Sequence, residues 1–270
     1  MEYTNLSNGF IVAIQGNNNA GKDTVASMLA YIVRQGVTKA KFMSWLVKNK
    51  TNKDDDEAII HFADKLKEIC SVITELDISN FNDRETKDEL WWIYGTKCFV
   101  SDEEINNLKY PRGLRLREGA QYVKINPNVF DKIVYDETVD AKVNIPIIKL
   151  REVMIYIAEE MIKLKWDKNY FVNVTKEKMI KVHKDNNFCI IADERFHNEH
   201  VAVNSTDCYN LTRYKNRFHI YVGETPEYNK EEDKYKAGKF DFYIYNDKTN
   251  LSALWVNVLK FYYQFILNKL

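Results

Sequence analysis

The sequence predicts an α/β fold, a three-layer sandwich with helices on both faces of a mostly parallel central sheet. Three observations carry this. Short apolar runs alternate along the chain with stretches of helical periodicity. Two of those runs, Gly9 to Gln15 and Phe188 to Ala192, are continuously apolar, as strands buried on both faces require. The first run leads through a Gly-Asn-rich turn straight into a helix, the strand–loop–helix order of parallel units.

The elements follow in order. After the strand from Gly9 to Gln15, residues Asp23 to Arg34 have helical spacing, with Val25, Met28, Leu29 and Ile32 on one face and Gly36 as the stop. Residues 37–56 read as an insertion ending in the polar run "TNKDDDE", an expected exposed loop. Glu57 to Phe62 is a second strand, and Ala63 to Thr74 an amphipathic helix. "NDRETKDELWWIYG" reads as a loop opening a helix. Residues 96–146 hold three of the four prolines, and 91–146 is taken as a second insertion. Lys149 to Lys165 is predicted as a helix with Val153, Ile157, Met161 and Leu164 on one face, and Tyr170 to Lys181 extends the helical layer. "FCIIA" is a buried strand stopping at Asp193. Cys208 to Thr212 and Phe242 to Tyr245 are further strands, and Leu251 to Leu270 is a closing helix with Leu254 and Val258 on one side. Residues 213–239, charged and turn-rich, read as a lid. The whole is expected to be a single domain, 1–270.

Composition narrows the class. Apolar residues make up 45% and charged residues 29% of the 270, as in ordinary soluble proteins. Lys+Arg and Asp+Glu both number 39, and a net charge of zero argues against a nucleic-acid partner. No apolar stretch approaches the roughly 18 residues of a membrane span, and none resembles a signal peptide, so a cytoplasmic location is expected. Cys70, Cys98, Cys189 and Cys208 form no CxxC pair and read as reduced thiols, Cys189 in a buried strand. His197 and His200 lie near Cys208, but a solvated loop or helix start is preferred there over zinc.

The chemistry centres on Gly16-Asn17-Asn18-Asn19-Ala20-Gly21-Lys22, a G-x-x-x-x-G-K pattern between a strand and a helix. Glycines let such a loop wrap until its N–H groups converge on an anion at the helix N-terminus, and Lys22 reaches the outer phosphates. Asp23 stands where a Ser or Thr ligand to Mg²⁺ is usual; its carboxylate either holds the ion, directly or through water, or positions the lysine or the helix. Thr24 is placed to donate to the α-phosphate. Asp193, at the carboxyl end of a strand, is a second candidate Mg²⁺ anchor, or a cap of the following turn.

The ordered set "GNNNAGKDT", "HFADKLKEI", "DRETK", "LREVM", "ADERFHNEH" and "DFYIYNDKTNLSALW" resembles bacteriophage-type deoxynucleoside monophosphate kinases of the P-loop superfamily. The resemblance implies a P-loop kinase core and transfer of a phosphoryl group from ATP, with Mg²⁺, to a deoxynucleoside 5′-monophosphate. It implies that Gly16, Asn18, Asn19, Ala20, Gly21, Lys22, Asp23 and Thr24 hold ATP. Arg151, Arg195 and Glu199 would face the acceptor, with Asp64 and Arg84 on the same substrate side, and Lys22, Arg151, Asp193 and Arg195 form the catalytic set. Arg213 joins the ATP site, and with Arg217 opens the lid. The chain departs from the family at Tyr156 and Ala158-Glu159, where Gln and Gly-Thr are usual. A homodimer is the prior expectation.

A nucleoside 5′-phosphate is mostly dianionic at neutral pH and needs no base. A hydroxyl acceptor would need one, from Asp64, Asp193 or Glu194. Two other readings stay open: a P-loop kinase acting on a nucleoside, modified base or coenzyme precursor, and a nucleotide-binding regulator without turnover.

Overall fold

The computed structural model describes residues 9–51, 56–82, 86–87, 91–93, 99–100, 130–136, 141–205, 216–224 and 240–267. The expected single domain divides into two compact units. One comprises residues 1–63 and 171–270, the other residues 64–170.

The first unit is built on a five-stranded, all-parallel sheet. Its strands are β1 (Phe10–Gln15), β2 (Ile59–Ile60), β7 (Phe188–Ile191), β8 (Arg217–Gly223) and β9 (Phe242–Tyr245), in the spatial order β2-β7-β1-β8-β9. β1 is central: Ala13 is paired with Ile191 on one side and His219 on the other. The chain reaches β2 and β7 on one side of β1, then crosses to β8 and β9 on the other. This makes the carboxyl end of β1 a topological switch point, where open α/β sheets bind ligands.

The two faces of this sheet differ. One carries Val12, Ile14, Ile190, Phe218, Ile220 and Val222 into the main core. It is covered by α1 (Lys22–Gln35), α2 (Phe42–Thr51) and α8 (Leu251–Phe261). The alternating nature of strand side chains sends Ile11, Ala13, Cys189 and Ile191 to the other face, where the apolar cluster is smaller. That face is covered by α6 (Tyr170–Asn186) through Met179 and by α7 (His197–Val203) through Val203. On β8 it carries Arg217, His219 and Tyr221, all buried.

Within the expected 37–56 insertion, α2 drives Trp45 into the core against Phe42 and Trp255, with ring centroids 6.0 and 6.1 Å away. Two expectations are corrected here. Within the 213–239 lid, Arg217–Gly223 is a strand with every residue buried; Arg213 and residues 225–239 lie outside the described residues. The second strand shrinks from Glu57–Phe62 to Ile59–Ile60. Cys189 is fully buried in β7, as its apolar run requires. The strand expected at Cys208 to Thr212 falls outside the described residues.

The second unit holds α3 (Asp64–Thr74), α4 (Ser79–Asn82) and a four-stranded antiparallel sheet in the order β4-β3-β6-β5. Its strands are β3 (Trp91–Ile93), β4 (Phe99–Val100), β5 (Phe130–Asp136) and β6 (Ala141–Lys149). "WWI" is therefore a strand, not the opening of a helix, and the described residues of the 91–146 segment are all strand. α5 (Leu150–Tyr156) runs on as a π-helix through Ile157–Lys163. The Leu164 N–H donates to the Glu159 carbonyl, an i→i−5 bond. The wider turn shifts the buried stripe by one residue. Val153 and Ile157 are buried as predicted, but Ala158 and Ile162 replace Met161 and Leu164, which are exposed. Among the described residues, no helix is long and apolar enough to cross a membrane.

Candidate nucleotide-binding site

The loop from Gly16 to Lys22 leaves the central strand at the switch point. Its path needs backbone angles that side chains resist: φ is 154° at Gly16, 62° at Asn19 and 87° at Gly21. Space forbids side chains as well. A Cβ on Gly16 would lie 2.3 Å from the Val222 carbonyl oxygen, and one on Gly21 2.5 Å from Asn246 Nδ2.

Hydrogen bonds fix this shape from within and from below. The Ala20 N–H donates to the Asn17 carbonyl (3.1 Å), and the Val25 N–H to the Gly21 carbonyl (2.9 Å). Asn246, just past β9, donates its Nδ2–H to the Ala20 carbonyl (2.8 Å), while its Oδ1 accepts the Lys248 N–H. Lys22 folds over the loop, its Nζ donating to the Gly16 and Asn17 carbonyls at 2.9 Å each. Asn17, Asn18 and Asn19 face solvent. A buried cation thus sits at the N-terminus of a fourteen-residue helix, whose first N–H groups and dipole favour an anion.

Asp23 extends into solvent from the first turn of α1, with one carboxylate oxygen 3.2 Å from His61 Nε2. Asp193 follows β7, the strand beside β1, at the same sheet end. Its Oδ1 accepts the Phe62 N–H (2.7 Å) and its Oδ2 the Ala63 N–H (3.3 Å). It pins the turn after β2, which also carries His61. Asp23, His61 and Asp193 are thereby gathered at one end of the sheet. The chemistry of that set suits a partly hydrated divalent cation, with Asp23 the accessible oxygen donor.

Glu199 is buried and turns back on its own helix start, accepting the N–H groups of Arg195 (2.6 Å) and Phe196 (2.9 Å) through Oε2. Burial, with help from Asp193 and Glu194, pushes its carboxyl up to about 7, against those two amide bonds. Arg195 itself is exposed. Arg217, expected in the lid, is 5% exposed and donates to the Val203 and Ser205 carbonyls (both 3.4 Å); it is part of the sheet's packing.

Glu194 is fully buried between His200 Nδ1 (3.1 Å) and His219 Nδ1 (3.0 Å). Burial alone would raise its carboxyl. The hydrogen bonds from the two imidazoles and from the Gln15 side chain instead hold it down, to about 2.

The remaining predicted residues belong to the second unit. Asp64 opens α3, with Lys67 Nζ 3.8 Å from its carboxylate. Arg151 is exposed in the first turn of α5, and α3 packs on α5. Arg84 lies outside the described residues.

Sequence reasoning assigned no role to Gln15, His61, His219 or Asn246. Three of these are polar residues at the carboxyl end of a strand, the one signal that could have marked them; His219 sits within a strand, and only its pairing partner Ala13 reveals its neighbourhood.

No family model matches the chain, and neither the curated proteins nor the solved structures compared with it include a match.

Proposed function

We propose that the protein is an ATP- and Mg²⁺-dependent kinase that phosphorylates a deoxynucleoside 5′-monophosphate. The observation that carries this reading is the Gly16–Lys22 loop: a turn shaped by two glycines with no room for a side chain and closed by a lysine, at the head of a helix and at the sheet's switch point. ATP phosphates would replace the Gly16 and Asn17 carbonyls as partners of Lys22. Thr24 would meet the inner phosphate, and Asp23 would hold Mg²⁺. Asp193, with both oxygens already accepting amide hydrogens, serves better as a fixed anion beneath the ion than as its ligand. Arg195 in the first unit and Arg151 in the second are each exposed, and the acceptor role that the resemblance implies for each is part of this proposal.

Two of the three candidate bases are engaged, which supports a phosphate acceptor over a hydroxyl: Glu194 is held between two histidines and Asp193 is bound to backbone amides, while Asp64 has Lys67 Nζ 3.8 Å away. A dianionic phosphate needs no base.

The test is ATP turnover with Mg²⁺ against dAMP, dGMP, dCMP, dTMP and their modified forms, with the matching nucleosides alongside. Diphosphate formed from one or more monophosphates is the expected result. Turnover of nucleosides alone, or ATP binding with no product, would refute the reading.

A further inference from the structure

We propose that Glu194, His200 and His219 bind one divalent transition-metal ion of the zinc class. This does not rest on the kinase reading; the three residues lie on the sheet face away from the main core, under α7.

The geometry is close to what such an ion needs. One ligand atom from each residue falls within 4.8 Å of the others. Zinc bonds to imidazole nitrogen and carboxylate oxygen are about 2.0–2.1 Å, so neighbouring donors in a tetrahedral site stand about 3.3 Å apart. Here His219 Nδ1 lies 3.0 Å from Glu194 Oε2 and His200 Nδ1 3.1 Å from Oε1, each imidazole on its own carboxylate oxygen, so one ion would draw the three groups together by small side-chain shifts. Glu194 and His200 face each other across the turn into α7, and His219 is brought to them from strand β8 by the fold. Two imidazoles with one carboxylate form a donor set that selects zinc, cobalt or nickel over Mg²⁺ or Ca²⁺.

Two further observations surround the set. Asn204 Nδ2 lies 2.9 Å from His219 Nε2, the ring atom turned away from Glu194, and so fixes the imidazole from behind. The same Nδ2 donates to the His200 carbonyl (3.2 Å), so Asn204 ties helix α7 to the His219 ring. Gln15 is 4% exposed and bonds to Glu194 by its side chain, yet its Oε1 has no hydrogen-bond partner. A buried amide oxygen beside a two-histidine, one-carboxylate set is a fourth ligand, or the acceptor for a metal-bound water. His200, with 17% of its side chain exposed, leaves a way in from solvent.

The competing account is a bare hydrogen-bonded cluster in which Glu194 is balanced by imidazole protons alone. The experiment that separates them uses the full-length protein, stripped with a chelator and titrated with Co²⁺. One equivalent should bind with the visible absorption of a low-symmetry, four- or five-coordinate site, and Zn²⁺ should bleach it. His200→Ala, a change at a partly exposed helix position, should weaken binding roughly 10–100-fold. His197→Ala, on an exposed position of the same helix, should leave affinity unchanged. A protein that keeps its circular dichroism but gives no saturable Co²⁺ spectrum overturns the proposal. So does binding that survives His200→Ala, or that is lost in His197→Ala.

Discussion

The side-chain amide of Asn246 donates to the Ala20 carbonyl across 2.8 Å, so the residue after the last strand holds the loop that follows the first. The same Nδ2 stands where a Gly21 side chain would begin. Asn246 is itself held by its N–H on the Gly223 carbonyl and by the Lys248 N–H on its Oδ1. It ties the ends of β8 and β9 to the Gly16–Lys22 loop.

Asn246→Ala removes that buried donor and leaves the Ala20 carbonyl unpaired. A loss of about 1–3 kcal/mol in stability is expected. Urea unfolding measures it, and ATP affinity should fall in the same variant, because the loop no longer has its support. Gly21→Ala attacks the same contact from the other side, adding a φ of 87° that alanine resists. It should abolish ATP binding.

Lys22→Ala should separate function from fold. Its Nζ is part-buried over the loop and donates to the Gly16 and Asn17 carbonyls, so a stability loss of about 1–3 kcal/mol is expected, too small to unfold the protein. ATP turnover should disappear. Isothermal titration with ATP and a thermal melt on one preparation decide the matter; an unchanged affinity would remove the lysine from the phosphate site.

His183 gives the pH prediction. It is 2% exposed, and burial, with Arg217 nearby, pulls its imidazole down to about 4. Unfolded, the same group takes up a proton near pH 6.5. Its contribution is therefore complete above about pH 6.5 and is lost as pH falls toward 4. Between pH 7 and pH 5 the parent should lose about 2 kcal/mol more than His183→Gln. Glu199 acts with the opposite sign: its carboxyl is raised to about 7, so what it gives is present in acid and lost as pH rises through neutrality. Comparing the variant with its parent at each pH cancels the Glu199 contribution.

Trp45→Ala tests whether α2 is part of the core. The indole is 2% exposed, packs on Trp255 and donates its Nε1–H to Ser27 Oγ (3.1 Å). Truncation should cost about 3–5 kcal/mol. A loss below 1 kcal/mol in chemical unfolding would mean that α2 is a dispensable attachment.

Much of the first unit was legible. β1 and β7 are unbroken apolar runs, and α1 keeps a 3.6-residue period between two glycines. β8 was not legible: "RFHIYVG" has the two-residue alternation of a strand, but its charged and turn-rich surroundings make the whole 213–239 segment read as a lid. Arg217 and His219 are inward-facing there because they meet carbonyls and Glu194 rather than an apolar layer. Periodicity could not foresee the π-turn either, since one added residue per turn leaves composition unchanged while exchanging Met161 for Ile162 in the buried stripe. At the site, the loop could be read from its glycines alone. Asn246 could not, because its role depends on Ala20, far away along the chain; Glu194, named as a candidate base, is instead enclosed by His200 and by His219 from another strand.

The order of strands also sets a timetable. Ile11 pairs with Cys189 and with Arg217, so β1 leaves the ribosome with neither neighbour yet made. At about 5–20 residues per second, the wait for β7 is on the order of ten to forty seconds. Residues 64–170 are contiguous and have time to fold within that interval. Until β7 and β8 arrive, "FIVAIQ" and the apolar face of α1 are exposed together. Such long-range pairing slows folding, and it makes the nascent chain a client for chaperones during most of its synthesis.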